Sequence, residues 1–158
     1  MSPDSVRLWQ ALDACKQHAQ ALTEALDDIA AMGITGLDLA DLSRADRRLL
    51  DQFAYRYTRL QDDMGARLMP AALRALGEDV VPMALLDRLD RLEQLGWLPS
   101  AEEWSELRQI RNEFVHAYPE TPAERLAKLE AAITSASRML AILKRMDERV
   151  TGRFGASG

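Results

Sequence analysis

The chain has 158 residues, 47% of them apolar and 28% charged, with a formal net charge of -5 and one cysteine, Cys15. That length fits one domain with a sizeable core, and a lone cysteine excludes an intramolecular disulfide or a multi-cysteine metal site, which makes a reducing cytoplasm the natural compartment. The acidic balance argues against broad, non-specific nucleic-acid binding, and no apolar run is long enough to span a bilayer or form a signal-peptide core.

Glycine and proline are few and sit at intervals, while Ala, Leu, Arg, Glu and Asp dominate, so the expected class is all-α. Met1 to Asp4 reads as a frayed lead-in. From Ser5, the positions Leu8, Leu12, Cys15, Ala19, Leu22, Leu26 and Ile29 recur every three or four residues and predict a helix of roughly 25 residues, ended by Gly33 and Gly36. Thr35 to Asp41 reads as a connection that lays Leu37 and Leu39 over the core.

Ser43, with Asp46 three positions on, caps a second helix carrying the stripe Leu49, Leu50, Phe53, Tyr57, Leu60, Met64 and Leu68. Pro70 is expected to kink that helix near Ala66, because its ring clashes with the carbonyl four residues back. A third helix is predicted to start at Pro82, with Leu85, Leu86, Leu89, Leu92 and Leu95 inward and Gly96 closing it. Ser100 and Glu103 cap a fourth, with Trp104, Leu107, Ile110 or Arg111, and Phe114 on its buried side. Thr121, Pro122 and Glu124 start a fifth, which keeps helical spacing to about Val150.

The expected architecture is therefore an up-and-down bundle of about five helices over residues 1–150, with residues 151–158 as a disordered tail. No phosphate loop, zinc spacing or dinucleotide fingerprint is present, and neither cofactor nor metal is expected. His18 lies near Cys15 without a further ligand in sequence reach and reads as a partly buried histidine. Trp9, Trp97 and Trp104 read as core or interface anchors, and Asp62 with Asp63 reads as a solvated face.

The densest chemistry is Arg108-Gln109-Ile110-Arg111-Asn112-Glu113-Phe114-Val115-His116-Ala117-Tyr118-Pro119, which holds one of the two histidines. Arg108, Asn112 and His116 share a helix face, whereas Arg111 and His116 stand about 140° apart at 100° per residue. A distorted helix end or a symmetric copy would have to bring them together. An imidazole that moves protons beside a guanidinium that stabilises phosphate charge suits metal-free RNA cleavage, with the sugar hydroxyl as nucleophile. Without context, however, an arginine and a histidine on one helix more often make a salt-linked, capped helix end.

Arg111-Asn112-Glu113-Phe114-Val115-His116-Ala117-Tyr118 resembles the arginine, four residues, histidine, any residue, tyrosine signature of the HEPN family, in its HepT-like toxin branch. Arg59-Leu60-Gln61-Asp62-Asp63-Met64-Gly65, Asp87 to Gly96 and Pro99 to Trp104 are similar to members of that branch, and the likeness covers roughly Leu49 to Leu143. The resemblance implies a homodimer whose two motifs line a common cleft and cleave RNA without metal. It implies Arg111 and His116 as catalytic residues, Asn112 as their support, Tyr118 as a hydroxyl that receives AMP, and a nucleotidyltransferase antitoxin as partner. Arg108 is a candidate RNA contact, and Arg44, Arg47 and Arg48 could add a basic edge. Exposed apolar positions on the fourth helix and Trp97 are candidates for the dimer surface. The alternative is a non-catalytic substrate-binding or regulatory companion of a nucleotidyltransferase, which the acidic balance favours.

Overall fold

Helices form where the sequence supplies both an apolar stripe and a side chain able to cap the free N–H groups of the first turn. A computed structural model describes residues 1–34, 39–116 and 120–155. Helix α1 (Pro3–Met32) begins earlier than the stripe suggests, because Ser2 Oγ accepts the Ser5 N–H and Pro3 occupies the first turn. Ser43, Ser100 and Thr121 cap α2 (Arg44–Asp63), α5 (Ala101–Val115) and α6 (Pro122–Phe154), accepting from the N–H groups of Asp46, Glu103 and Glu124. Gly33, at φ 79°, closes α1 in a backbone region that disfavours side chains.

Pro70 leaves its mark without breaking the chain's path. A π turn (Met64–Leu68) joins α2 to α3 (Met69–Ala75), and the Met69 N–H reaches back to the Met64 carbonyl. The wider turn falls where Pro70 has no N–H to donate. With that join, the described residues form five helical rods in an all-α bundle.

Helix α4 (Leu85–Gln94) starts after Pro82 rather than at it, behind a turn in which Met83 N–H and Arg88 Nη2 both donate to the Val80 carbonyl. Its inward face is correspondingly shorter than expected. Leu89 and Leu92 are buried, but Leu85 is 39% and Leu86 63% exposed. Helix α6 runs to Phe154, a turn past the expected Val150, because the Phe154 ring packs against Trp97 with centroids 6.3 Å apart. That contact buries Trp97 and removes it from the candidate dimer surface.

One core unites the rods, with Leu8, Leu12 and Leu22 from α1, Phe53, Tyr57 and Leu60 from α2, Trp104 and Leu107 from α5, and Met139 and Met146 from α6. Leu39 packs against it, whereas Leu37 lies outside the described residues. Helix α5 runs antiparallel to α2: Leu107 meets Gln61, while Phe114, two turns later, meets Tyr57 and Phe53. The buried Tyr57 hydroxyl donates to Ser135 on α6 at 3.0 Å, tying the third rod of this layer to α2. No helix among the described residues is long and apolar enough to cross a membrane.

Candidate functional site

Helix α5 is anchored along its length before it delivers any chemistry. Its start is fixed by the Ser100 cap and by Glu93 Oε1, which accepts the Ala101 N–H at 2.9 Å. Its middle is held by fully buried Trp104 and Leu107. Its last turn is held by Phe114, whose ring stands edge-on to Phe53 and Tyr57 at 6.0 and 5.6 Å. The register that buries these side chains decides where each polar residue goes.

Arg111, rather than Ile110, turns toward α2. Its Nη2 donates to Asp62 Oδ2 at 2.9 Å, and its Nη1 makes a long 3.4 Å contact with Asn112 Oδ1. Its Nε–H is buried without a hydrogen-bond partner, so the fork keeps donor capacity in reserve. Next to Asp62, Gln61 is buried and its Nε2 donates to the Leu107 carbonyl at 3.0 Å. Consecutive residues of α2 therefore grip α5 twice, once by backbone and once by the guanidinium.

The solvated-face reading of Asp62 and Asp63 holds for exposed Asp62 and is corrected for Asp63. Asp63 is buried, with Oδ2 3.4 Å from His18 Nε2 and Oδ1 3.8 Å from Arg67 Nε. His18 is correspondingly more than a passive core residue, since Arg56 Nη1 lies 2.9 Å from its Nδ1. With Nδ1 accepting, the proton sits on Nε2 and the ring is neutral. Burial holds the His18 pKa below the usual value, with Asp63 opposing and Arg56 and Arg59 reinforcing the shift. Burial likewise pushes the Cys15 thiol up to about 12, helped by the nearby Asp63 carboxylate.

His116 is the C-terminal cap residue of α5, at φ -81° and ψ 121°, and is exposed. The backbone leaves helical geometry there, so its ring is not bound to the position a continued helix would give. Asn112 and Arg108 are exposed on α5, and Arg108 stands on the wall of a cleft between the π turn, α4 and α5. Tyr118 lies outside the described residues. The antiparallel packing puts exposed Arg44, Arg47 and Arg48 at the same end of the bundle as His116. Beyond that end, Glu120 pairs with Lys128 and fixes the start of α6.

The structure thus gathers Arg111, Asn112 and Asp62, with Arg108 a turn away. Two residues that hold this arrangement, Gln61 and Asp62, do not stand out in the motif itself. Gln61 was detectable in principle, since it follows buried Tyr57 by four residues, a core spacing. Asp62 has no such signal, because a long-range ion pair leaves no periodicity. Among the described residues, no group of three or more histidine, cysteine or carboxylate side chains is arranged to hold a metal ion. Comparison with protein-family models, with curated proteins and with solved structures gives no match.

Proposed function

We propose that this chain is a cytoplasmic HEPN-like endoribonuclease of the HepT toxin type, working as a homodimer in which Arg111 and His116 of both copies line one groove. The observation that carries the reading is the tethered Arg111: a guanidinium held at 2.9 Å by a carboxylate from another helix, on the same helix that ends at the exposed His116. A half-buried arginine fixed this way is pre-aimed at an anion, with its remaining Nη protons unspent.

In the reaction, a base takes the proton of the ribose 2'-hydroxyl as its oxygen attacks the adjacent phosphorus. The bond to the 5'-oxygen breaks, an acid protonates that oxygen, and a 2',3'-cyclic phosphate remains. Two proton-transfer groups are needed and each motif supplies one imidazole, so the His116 residues of two copies fill the two roles. Arg111 holds the non-bridging oxygens as charge develops, and Asn112 steadies Arg111. A nucleotidyltransferase antitoxin silences the protein by transferring AMP from ATP to the Tyr118 hydroxyl, which loses its proton as pyrophosphate leaves.

Purified protein incubated with RNA in EDTA tests this. Cleavage with cyclic-phosphate ends, lost in His116→Ala, is expected; RNA left intact by the parent chain removes the proposal. The second reading, a non-catalytic companion of a nucleotidyltransferase, draws on the net charge of -5 and on the partial neutralisation of Arg111 by Asp62. It predicts a stable complex with the transferase and no cleavage by either protein.

A further inference from the structure

Beside the motif, the π turn, the first turn of α4 and the outer face of α5 enclose a cleft of about 390 Å³, lined by Asp62, Gly65, Leu85, Arg88, Trp104 and Arg108 among others. That volume is at the small end of ligand pockets and suits one nucleotide rather than a larger molecule. Two of the lining side chains carry unspent donors. Trp104 is fully buried, and its Nε1–H has no hydrogen-bond partner. Arg88 donates Nη2 to the Val80 carbonyl at 3.0 Å, while its buried Nε–H has no partner.

Gly65 lines the cleft directly against the buried Trp104 indole edge. A Cβ at that position would stand 3.4 Å from Trp104 Cζ2 and 3.8 Å from Nε1, an ordinary contact that would take up cleft space beside the indole N–H. The unpartnered donors point to an acceptor-bearing ligand, and the missing side chain leaves room for one beside them.

We infer that this cleft is a guanine-reading subsite, in which Arg88, Arg108 and the Trp104 indole N–H donate to the base and the Asp62 carboxylate accepts from it. Guanine alone among the four bases offers two adjacent acceptors, O6 and N7, together with two adjacent donors, N1–H and the 2-amino group. Arginine donors match the first pair and a carboxylate matches the second. Asp62 also holds Arg111, so a base in the cleft places its own phosphate beside the candidate catalytic guanidinium. Arg108 and Arg111 are separated by roughly 4.5 Å along the helix axis, so a base held by Arg108 brings its phosphate within reach of Arg111. In consequence the protein cuts next to guanine, a statement that rests on the ribonuclease reading; the binding itself does not.

Full-length His116→Ala protein, titrated with GMP, AMP, CMP and UMP while tryptophan fluorescence is followed, tests the cleft without turnover. Saturable quenching by GMP is expected, with the other three nucleotides binding at least about tenfold more weakly. Gly65→Ala should weaken GMP binding about tenfold or more, with helix content and melting temperature retained. Four nucleotides bound alike, no response to millimolar GMP, unchanged GMP binding in Gly65→Ala, or a glutamate-rich peptide bound as tightly as GMP would each overturn the inference. The two readings fail separately. A chain that binds GMP but whose parent form leaves RNA intact loses the ribonuclease and keeps the cleft; one that cuts RNA without regard to guanine and ignores GMP loses only the cleft.

Discussion

Replacing Asp62 by alanine separates what holds the fold from what aims the site. The carboxylate and the Arg111 guanidinium meet at 2.9 Å, but their side chains are 51% and 23% exposed. Charges roughly 4 Å apart at an effective dielectric constant near 20 attract by ~4 kcal/mol, and solvent reduces a pair this open to about 0.5–1 kcal/mol of net stability. In a chain of this size that is a melting shift of about 1–4 °C. Catalysis should suffer more, because a guanidinium without its tether spreads over several rotamers. A loss of about tenfold in kcat/KM, ~1.4 kcal/mol of transition-state stabilisation, is expected for Asp62→Ala. Arg111→Ala should cost about 10²–10³-fold, and Arg111→Lys should not restore it because a point charge lacks the planar fork. The assay is cleavage of fluorogenic RNAs in EDTA, one with and one without guanine at the cut, so that a proportional loss on both reads the tether, alongside thermal melts. Asp62→Ala protein that cuts at the parent rate refutes the tether, and Arg111→Ala protein that does so refutes the site.

The remaining expectations concern the groups that surround the site. The His18 pKa is lowered by folding, so its contribution is intact at neutral pH and is lost as pH falls below the unfolded value of 6.5; urea midpoints should drop between pH 7 and 5, and His18→Gln should flatten that slope. Cys15 has the opposite sense, since its thiol rises from 9.0 to about 12: the unfolded chain ionises first, and stability should fall by about 1.4 kcal/mol per pH unit above 9, a slope absent in Cys15→Ala. The same thiol should resist a disulfide reagent in the native state and react once urea is added. Tyr57→Phe and Ser135→Ala should each cost about 1–3 kcal/mol by stranding a buried hydroxyl, while the double variant should cost less than their sum, with a coupling of about 1 kcal/mol by urea titration.

What could be read from the sequence follows the range of the forces involved. The caps at Ser43, Ser100 and Thr121 are contacts between residues three apart, so the pattern and the structure coincide. The disturbance around Pro70 was also legible, because a missing N–H acts locally, but its form as a π turn was not. Leu85 and Leu86 show the limit of periodicity. They continue the stripe of Leu89 and Leu92, yet the first turn of α4 projects past its neighbours and leaves them exposed. Helix α6 exceeds its expected end for the converse reason: Gly152 weakens the local signal, and Phe154 restores the helix through a partner far away in the chain.

The site divides along the same line. Helical spacing correctly keeps Arg111 off the face of Arg108 and Asn112, since burial of Trp104, Leu107 and Phe114 turns Arg111 toward α2. Spacing says nothing of what waits there. Aspartates at positions 62 and 63 look alike in the sequence, but one pairs with Arg111 near solvent and the other sits buried between His18 and Arg67. Their different fates are set by a rotation of about 100° between neighbours on one helix, which points one carboxylate toward α5 and the other toward α1. An acidic pair thereby serves two separate cations, and the stretch from Gln61 to Gly65 becomes the common wall of the Arg111 tether and the cleft beside it. A substitution there should move both binding and rate, whereas one at His18 should move stability alone.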